Sequence, residues 1–132
     1  MCQHLTYLVY DNEYRFIAMC EHGTIHVTWQ RGTVHLSSQL LLQLADFLPQ
    51  AQQTVSREQC CVVGQNVLAL DSRGGYQAWF YGVGFYLVER DLVNLTRMIA
   101  DAAACLHQGH APDIPLTTRP TLTEEYARFS LN

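Results

Sequence analysis

Residues 14–53 read YRFIAMCEHGTIHVTWQRGTVHLSSQLLLQLADFLPQAQQ, and residues 65–104 read QNVLALDSRGGYQAWFYGVGFYLVERDLVNLTRMIADAAA. Aligned with a shift of 51 and no gap, they share Ala18 with Ala69, Gly23 with Gly74, Leu36 with Leu87, Leu41 with Leu92, Leu44 with Leu95 and Ala51 with Ala102. Between these identities the residue class agrees: Phe16, Ile17, Met19, Ile25, Trp29, Val34, Phe47 and Leu48 meet Val67, Leu68, Leu70, Tyr76, Phe80, Phe85, Met98 and Ile99. An internal repeat has to be sought first, because it sets the reading of everything around it. Two similar units of strands and a helix would share much of this register through their common periodicities alone.

Each unit reads as three strands and a helix. In the first, YRFIAMC, TIHVTW and TVHLS are rich in β-branched and aromatic residues and are broken by EHG and QRG, which favour turns. A helix follows from about Ser38, whose hydroxyl can cap its free amides, with Leu41, Leu44, Ala45 and Leu48 as the apolar stripe and Pro49 as its end. In the second, NVLALD, YQAWFY and FYLV precede a helix from about Glu89 or Asp91 carrying Leu92, Leu95, Ile99, Ala102 and Leu106, with Gly109 as a natural stop. HLTYLVY adds a leading strand to the first unit. QAQQTVSREQ reads as a polar linker and CCVV as a short buried strand.

The expected architecture is therefore α+β: two pseudo-repeated βββα units forming antiparallel sheet, with helices packed on one face. The units cover about 1–53 and 59–108 of a single domain spanning 1–110. An extended C-terminal arm, 111–132, completes the chain. Thr121 and Glu124 resemble a capping box, opening a short helix that would align Leu122, Tyr126 and Phe129. So short a helix needs something to dock on.

The chain has 132 residues, 48% of them hydrophobic and only 15% charged, with a formal net charge of −4. Typical domains carry about 25% charged residues, so a surface this poor in charge points to a partner. The balance is wrong for a disordered chain or for phosphate-backbone binding, and no apolar run approaches the length of a membrane span. Five cysteines, an odd number, and an N-terminus unlike a signal peptide suggest the cytoplasm and reduced thiols.

One constellation carries chemistry. Cys2-x-His4 and Cys20-x-His22 flank an apparent hairpin. If Tyr10 pairs with Tyr14, then His4 meets Cys20 and Cys2 meets His22, all on one face. Two thiolates and two imidazoles are the ligands of a closed tetrahedral zinc site. A slip of one residue would separate them, and the spacing differs from that of the usual zinc knuckle. The second unit has Asp71 and Arg73 at the matching positions. On the plainer reading Cys20 is a small buried hydrophobe.

His26 and His35 could join Cys20 and His22 in a thiol enzyme, but no carboxylate stands at an orienting distance, with Glu21 expected to point away. Phosphate loops, nucleophile elbows and H-E-x-x-H segments are missing. The aromatic stretch YQAWFYGVGFYLV, residues 76–88, offers Tyr76, Trp79, Phe80, Tyr81, Phe85 and Tyr86 as a contact surface, since Tyr and Trp concentrate at interface hot spots. The leading expectation is a non-enzymatic protein that binds protein, as a homo-oligomer or an accessory subunit, with no cofactor. The alternatives are a zinc-stabilised adaptor and, last, a Cys/His enzyme.

Overall fold

The computed structural model describes residues 2–108. The elements run β1 (Leu5–Asn12), β2 (Arg15–Cys20), β3 (Ile25–Trp29), β4 (Gly32–Leu36), α1 (Ser38–Glu58), β5 (Cys60–Val63), β6 (Asn66–Leu70), β7 (Tyr76–Phe80), β8 (Val83–Leu87) and α2 (Glu89–Gln108). The strands form two antiparallel meanders, β1-β2-β3-β4 and β5-β6-β7-β8, rather than one sheet. The fold is α+β, as the alternating strand patterns and one-sided helices require. HLTYLVY and CCVV make each unit four strands and a helix.

The shift of 51 is literal in three dimensions. β2, β3, β4 and α1 begin at residues 15, 25, 32 and 38, and β6, β7, β8 and α2 at 66, 76, 83 and 89. Register follows: Ile17 pairs with Val27 as Leu68 pairs with Ala78, and Ile25 pairs with Leu36 as Tyr76 pairs with Leu87. The turns match as well. The N–H of Cys20 donates to the Thr24 carbonyl as that of Asp71 donates to Gly75, and Gln30 donates to Tyr14 as Tyr81 donates to Gln65. Gly23 and Gly74 both occupy the left-handed region, at φ 82° and 100°, where a side chain is disfavoured.

Both units fill one core. Ile17, Val27 and Leu36 from the first sheet join Leu68, Ala78 and Leu87 from the second. Between them lie two stripes of identical spacing, Leu41, Leu44, Leu48, Ala51 and Val55 on α1 and Leu92, Leu95, Ile99, Ala102 and Leu106 on α2. The 3-4-3-4 spacing keeps one face of each helix inward over its whole length. The packing is reciprocal: α1 runs close along β5 and β6, while α2 runs close along β1 and β2. Gln52 donates to the Thr96 hydroxyl across the helix pair at 2.8 Å. Where β4 meets β8, Gly32 leaves room for the Phe85 ring, whose Cε1 would lie 2.8 Å from an added Cβ.

Several local expectations are corrected. The cap of α1 is Ser37, not Ser38, its hydroxyl accepting the Leu40 N–H at 3.2 Å. Pro49 does not end the helix, and most of the expected polar linker is helical, to Glu58. An interior proline costs about 3 kcal/mol. Burying Leu48, Ala51 and Val55 offsets that, a buried Leu or Val being worth about 1.5–3 kcal/mol. CCVV is a strand but not a buried one: Val62 and Val63 are exposed on the edge of the second sheet.

The β1–β2 hairpin has a tighter turn than expected. Asn12 pairs with Arg15, the Asn12 side chain accepts the Tyr14 N–H at 2.8 Å, and two bulges in β1 bring Leu5, not His4, opposite Cys20. The arm 111–132, with Leu122, Tyr126 and Phe129, lies outside the described residues.

Candidate functional site

β2 ends at Cys20, and the turn from Cys20 to Thr24 is closed by the Cys20 N–H donating to the Thr24 carbonyl and by the Gly23 N–H donating to the Cys20 carbonyl. That turn presents Cys20, Glu21 and His22 in succession. Across it lies the N-terminal segment before β1, fixed by Glu21. One carboxylate oxygen accepts the Gln3 N–H and the other the His4 N–H, both at 2.9 Å. Cys2 is thereby carried over the turn. Its sulfur stands 3.8 Å from His22 Nδ1 and 3.6 Å from His26 Nε2, while the Cys20 sulfur stands 3.9 Å from the same His22 nitrogen.

One ligand atom from each of Cys2, Cys20, Glu21 and His22 lies within 4.8 Å of all the others, and this group could hold a metal ion. Three of the four residues expected from the C-x-H pairs converge. The exposed His4 does not join them; its backbone, not its imidazole, takes part, through Glu21. Glu21 was expected to point away on a strand, but it sits in the turn and supplies both the anchor for Cys2 and a donor oxygen. The turn-forming sequence EHG carried that signal. His26, weighed from the sequence only with His35 for a thiol enzyme, pairs with Ala18 and so shares the face of Cys20.

The thiols are unequal. Burial pushes the Cys20 thiol up, but hydrogen bonds to Cys2, to the backbone of His22 and Thr24 and to the His22 ring more than offset this, bringing it to about 7. Cys2 is pushed up to about 11, first by its hydrogen bond to Cys20, then by burial and by the charges of Cys20 and Glu21. The Gln3 and His4 amides hold Glu21 down at about 2. Burial, then the neighbouring His35, brings His26 to about 4 and keeps it neutral. The rings of His26 and His35 meet edge to face at 4.7 Å.

The aromatic stretch divides by strand parity. Phe80 is buried, and Tyr76, Tyr81 and Phe85 pack against the core, but Trp79 and Tyr86 are 49% and 47% exposed. They line a shallow depression of about 350 Å³ with Arg73, Gln77 and Gly84 on the outer face of the second sheet. Tyr81 also donates to the Leu40 carbonyl, at 3.2 Å, tying its turn to α1. The first sheet differs: on its outer face Tyr7, Phe16 and Ala18 form a second buried cluster with Leu5 and Cys20.

No described helix is long and apolar enough to cross a membrane. Comparison with known proteins gives no match to a family model, to a curated protein or to a solved structure.

Proposed function

We propose that this protein works by binding rather than catalysis, and that its partner is a second copy of the same chain, met through the outer face and edge of the second sheet. The observation that carries this reading is the exposure of Trp79, whose counterpart in the first unit, Thr28, is only 1% exposed, together with the exposed Tyr86 near it. At one edge of the same sheet, separated from β7 by β6, runs β5, Cys60–Val63, with exposed Val62 and Val63. Edge strands of soluble proteins are usually blunted by charge, proline or a covering element. β5 has neither charge nor proline. Antiparallel pairing of β5 with its own copy is the isologous arrangement of a two-fold dimer, and it brings two aromatic faces into one surface.

The surface poor in charge fits the same reading, as does a cytoplasmic setting, in which the five unpaired thiols stay reduced. The test is the oligomeric state by light scattering. The full chain is expected to be a dimer at micromolar concentration, and Val62→Lys, on the pairing edge, a monomer with unchanged circular dichroism. A wild-type chain that is monomeric throughout overturns the proposal, and monomer that gains mass only with another protein assigns the face to a different partner.

A further inference from the structure

We infer that Cys2, Cys20, His22 and Glu21 form a zinc site that staples the N-terminal segment onto the β2–β3 turn. This is independent of the self-association above and lies in the other unit.

Distance supports it first. A tetrahedral zinc ion with bonds of about 2.3 Å to sulfur and about 2.0–2.1 Å to nitrogen spaces its ligand atoms about 3.4–3.8 Å apart. The sulfur-to-nitrogen separations at His22 are 3.8 and 3.9 Å, and His22 Nδ1 lies 3.8 Å from Glu21 Oε1. All four ligand atoms lie within 4.8 Å of one another, so an ion is accommodated by contraction of about an ångström at most. The donors are also right for it, since thiolate and imidazole select zinc over the hard cations that prefer oxygen.

The second unit provides the control. There the same backbone turn carries Asp71 and Arg73 at the positions of Cys20 and His22, and it closes on itself: Asp71 accepts from the Arg73 side chain at 2.8 Å and from Gln77 at 2.9 Å. The turn therefore needs neither sulfur nor imidazole to form. In the first unit the side chains at those positions face Cys2 instead, brought from twenty residues away by a carboxylate gripping two consecutive amides.

His26 completes the arrangement from behind. In the tautomer with the proton on Nε2, it donates toward the Cys2 sulfur, 3.6 Å away. Such outer donors temper the charge of a thiolate ligand. Binding displaces the thiol protons into solvent, so affinity rises with pH.

Cobalt(II) is the probe. The reduced, metal-free full chain is expected to take up one equivalent, with the near-ultraviolet band of thiolate-to-cobalt charge transfer and the visible bands of tetrahedral cobalt. Zinc should displace it and raise the melting temperature. Cys2→Ser and Cys20→Ser should each weaken binding about a hundredfold or more, and His26→Gln about tenfold. His4→Ala and Cys60→Ser should leave it unchanged. Because Cys2 lies outside the strands, Cys2→Ser keeps the test valid even if Cys20→Ser fails to fold. Cobalt spectra without a thiolate band, or equal affinity in Cys2→Ser, overturn the inference. Loss in His4→Ala with retention in Glu21→Gln replaces the fourth ligand and overturns the set stated.

Discussion

The β2–β3 turn and the β6–β7 turn have the same backbone and opposite chemistry. Both are closed by equivalent hydrogen bonds and both turn on a glycine at positive φ. In the second, the side chains satisfy one another: Asp71 binds the Arg73 side chain and backbone N–H, and Arg73 lies over the Tyr86 ring at 5.0 Å. In the first, Cys20 and His22 have no such charge partner in each other, and Glu21 is committed to the N-terminal segment. The difference teaches that one supersecondary frame can be closed locally or left as a platform. What decides is whether the residues two apart across the turn complement each other in charge.

The comparison holds only if the two units share one core. Leu44 and Leu95 occupy equivalent positions and are 0% and 1% exposed. Leu44→Ala and Leu95→Ala should each cost about 2–5 kcal/mol, measured by urea unfolding, and each should leave a single transition. Two separated transitions would break the shared core into independent halves.

A smaller effect probes the turns themselves. An added Cβ meets nothing within 4 Å at either Gly23 or Gly74, so only backbone strain opposes a side chain there. Gly23→Ala and Gly74→Ala should each cost about 1–2 kcal/mol. Similar losses in thermal unfolding confirm the equivalence. A much larger loss at Gly23 would show that the first turn depends on contacts the second lacks.

The smallest effect is in acid. Hydrogen bonding from Arg73 holds the Asp71 carboxyl below its ordinary value. A carboxyl whose folded pKa is depressed adds stability above its unfolded pKa, near 4, and loses it as pH falls through the folded one. Asp71→Asn should flatten the acid limb of the stability profile in that window, giving up a little stability at neutral pH and leaving low pH nearly unchanged. Carbon-detected titration of Asp71 at its ordinary value would remove the charge lock from the comparison.

Much of this was legible along the chain. The repeat, the eight strand segments and both apolar stripes follow from periodicity, because a strand alternates every two residues and a helix returns every three or four. The aromatic stretch was likewise visible, though only the sheet decides that Trp79 and Tyr86 face out while Phe80 faces in. Pro49 misled because local propensity cannot weigh the burial of Ala51 and Val55 against β5 and β6 of the other unit. Cys2 and Cys20 were found by a hairpin register that does not exist. The tight Asn12–Arg15 turn and the bulges in β1 replace it.

The sequence by itself determined two α+β units in a fixed register and placed soft donors near both ends of one hairpin. Only the tertiary structure decided that the units clasp into one core, that CCVV is an exposed edge, and that Glu21 rather than His4 stands beside the thiols. The physical reason is range. Periodicity is written within a few residues, whereas burial, edge exposure and the reach of a carboxylate to a distant amide depend on which segments meet after folding.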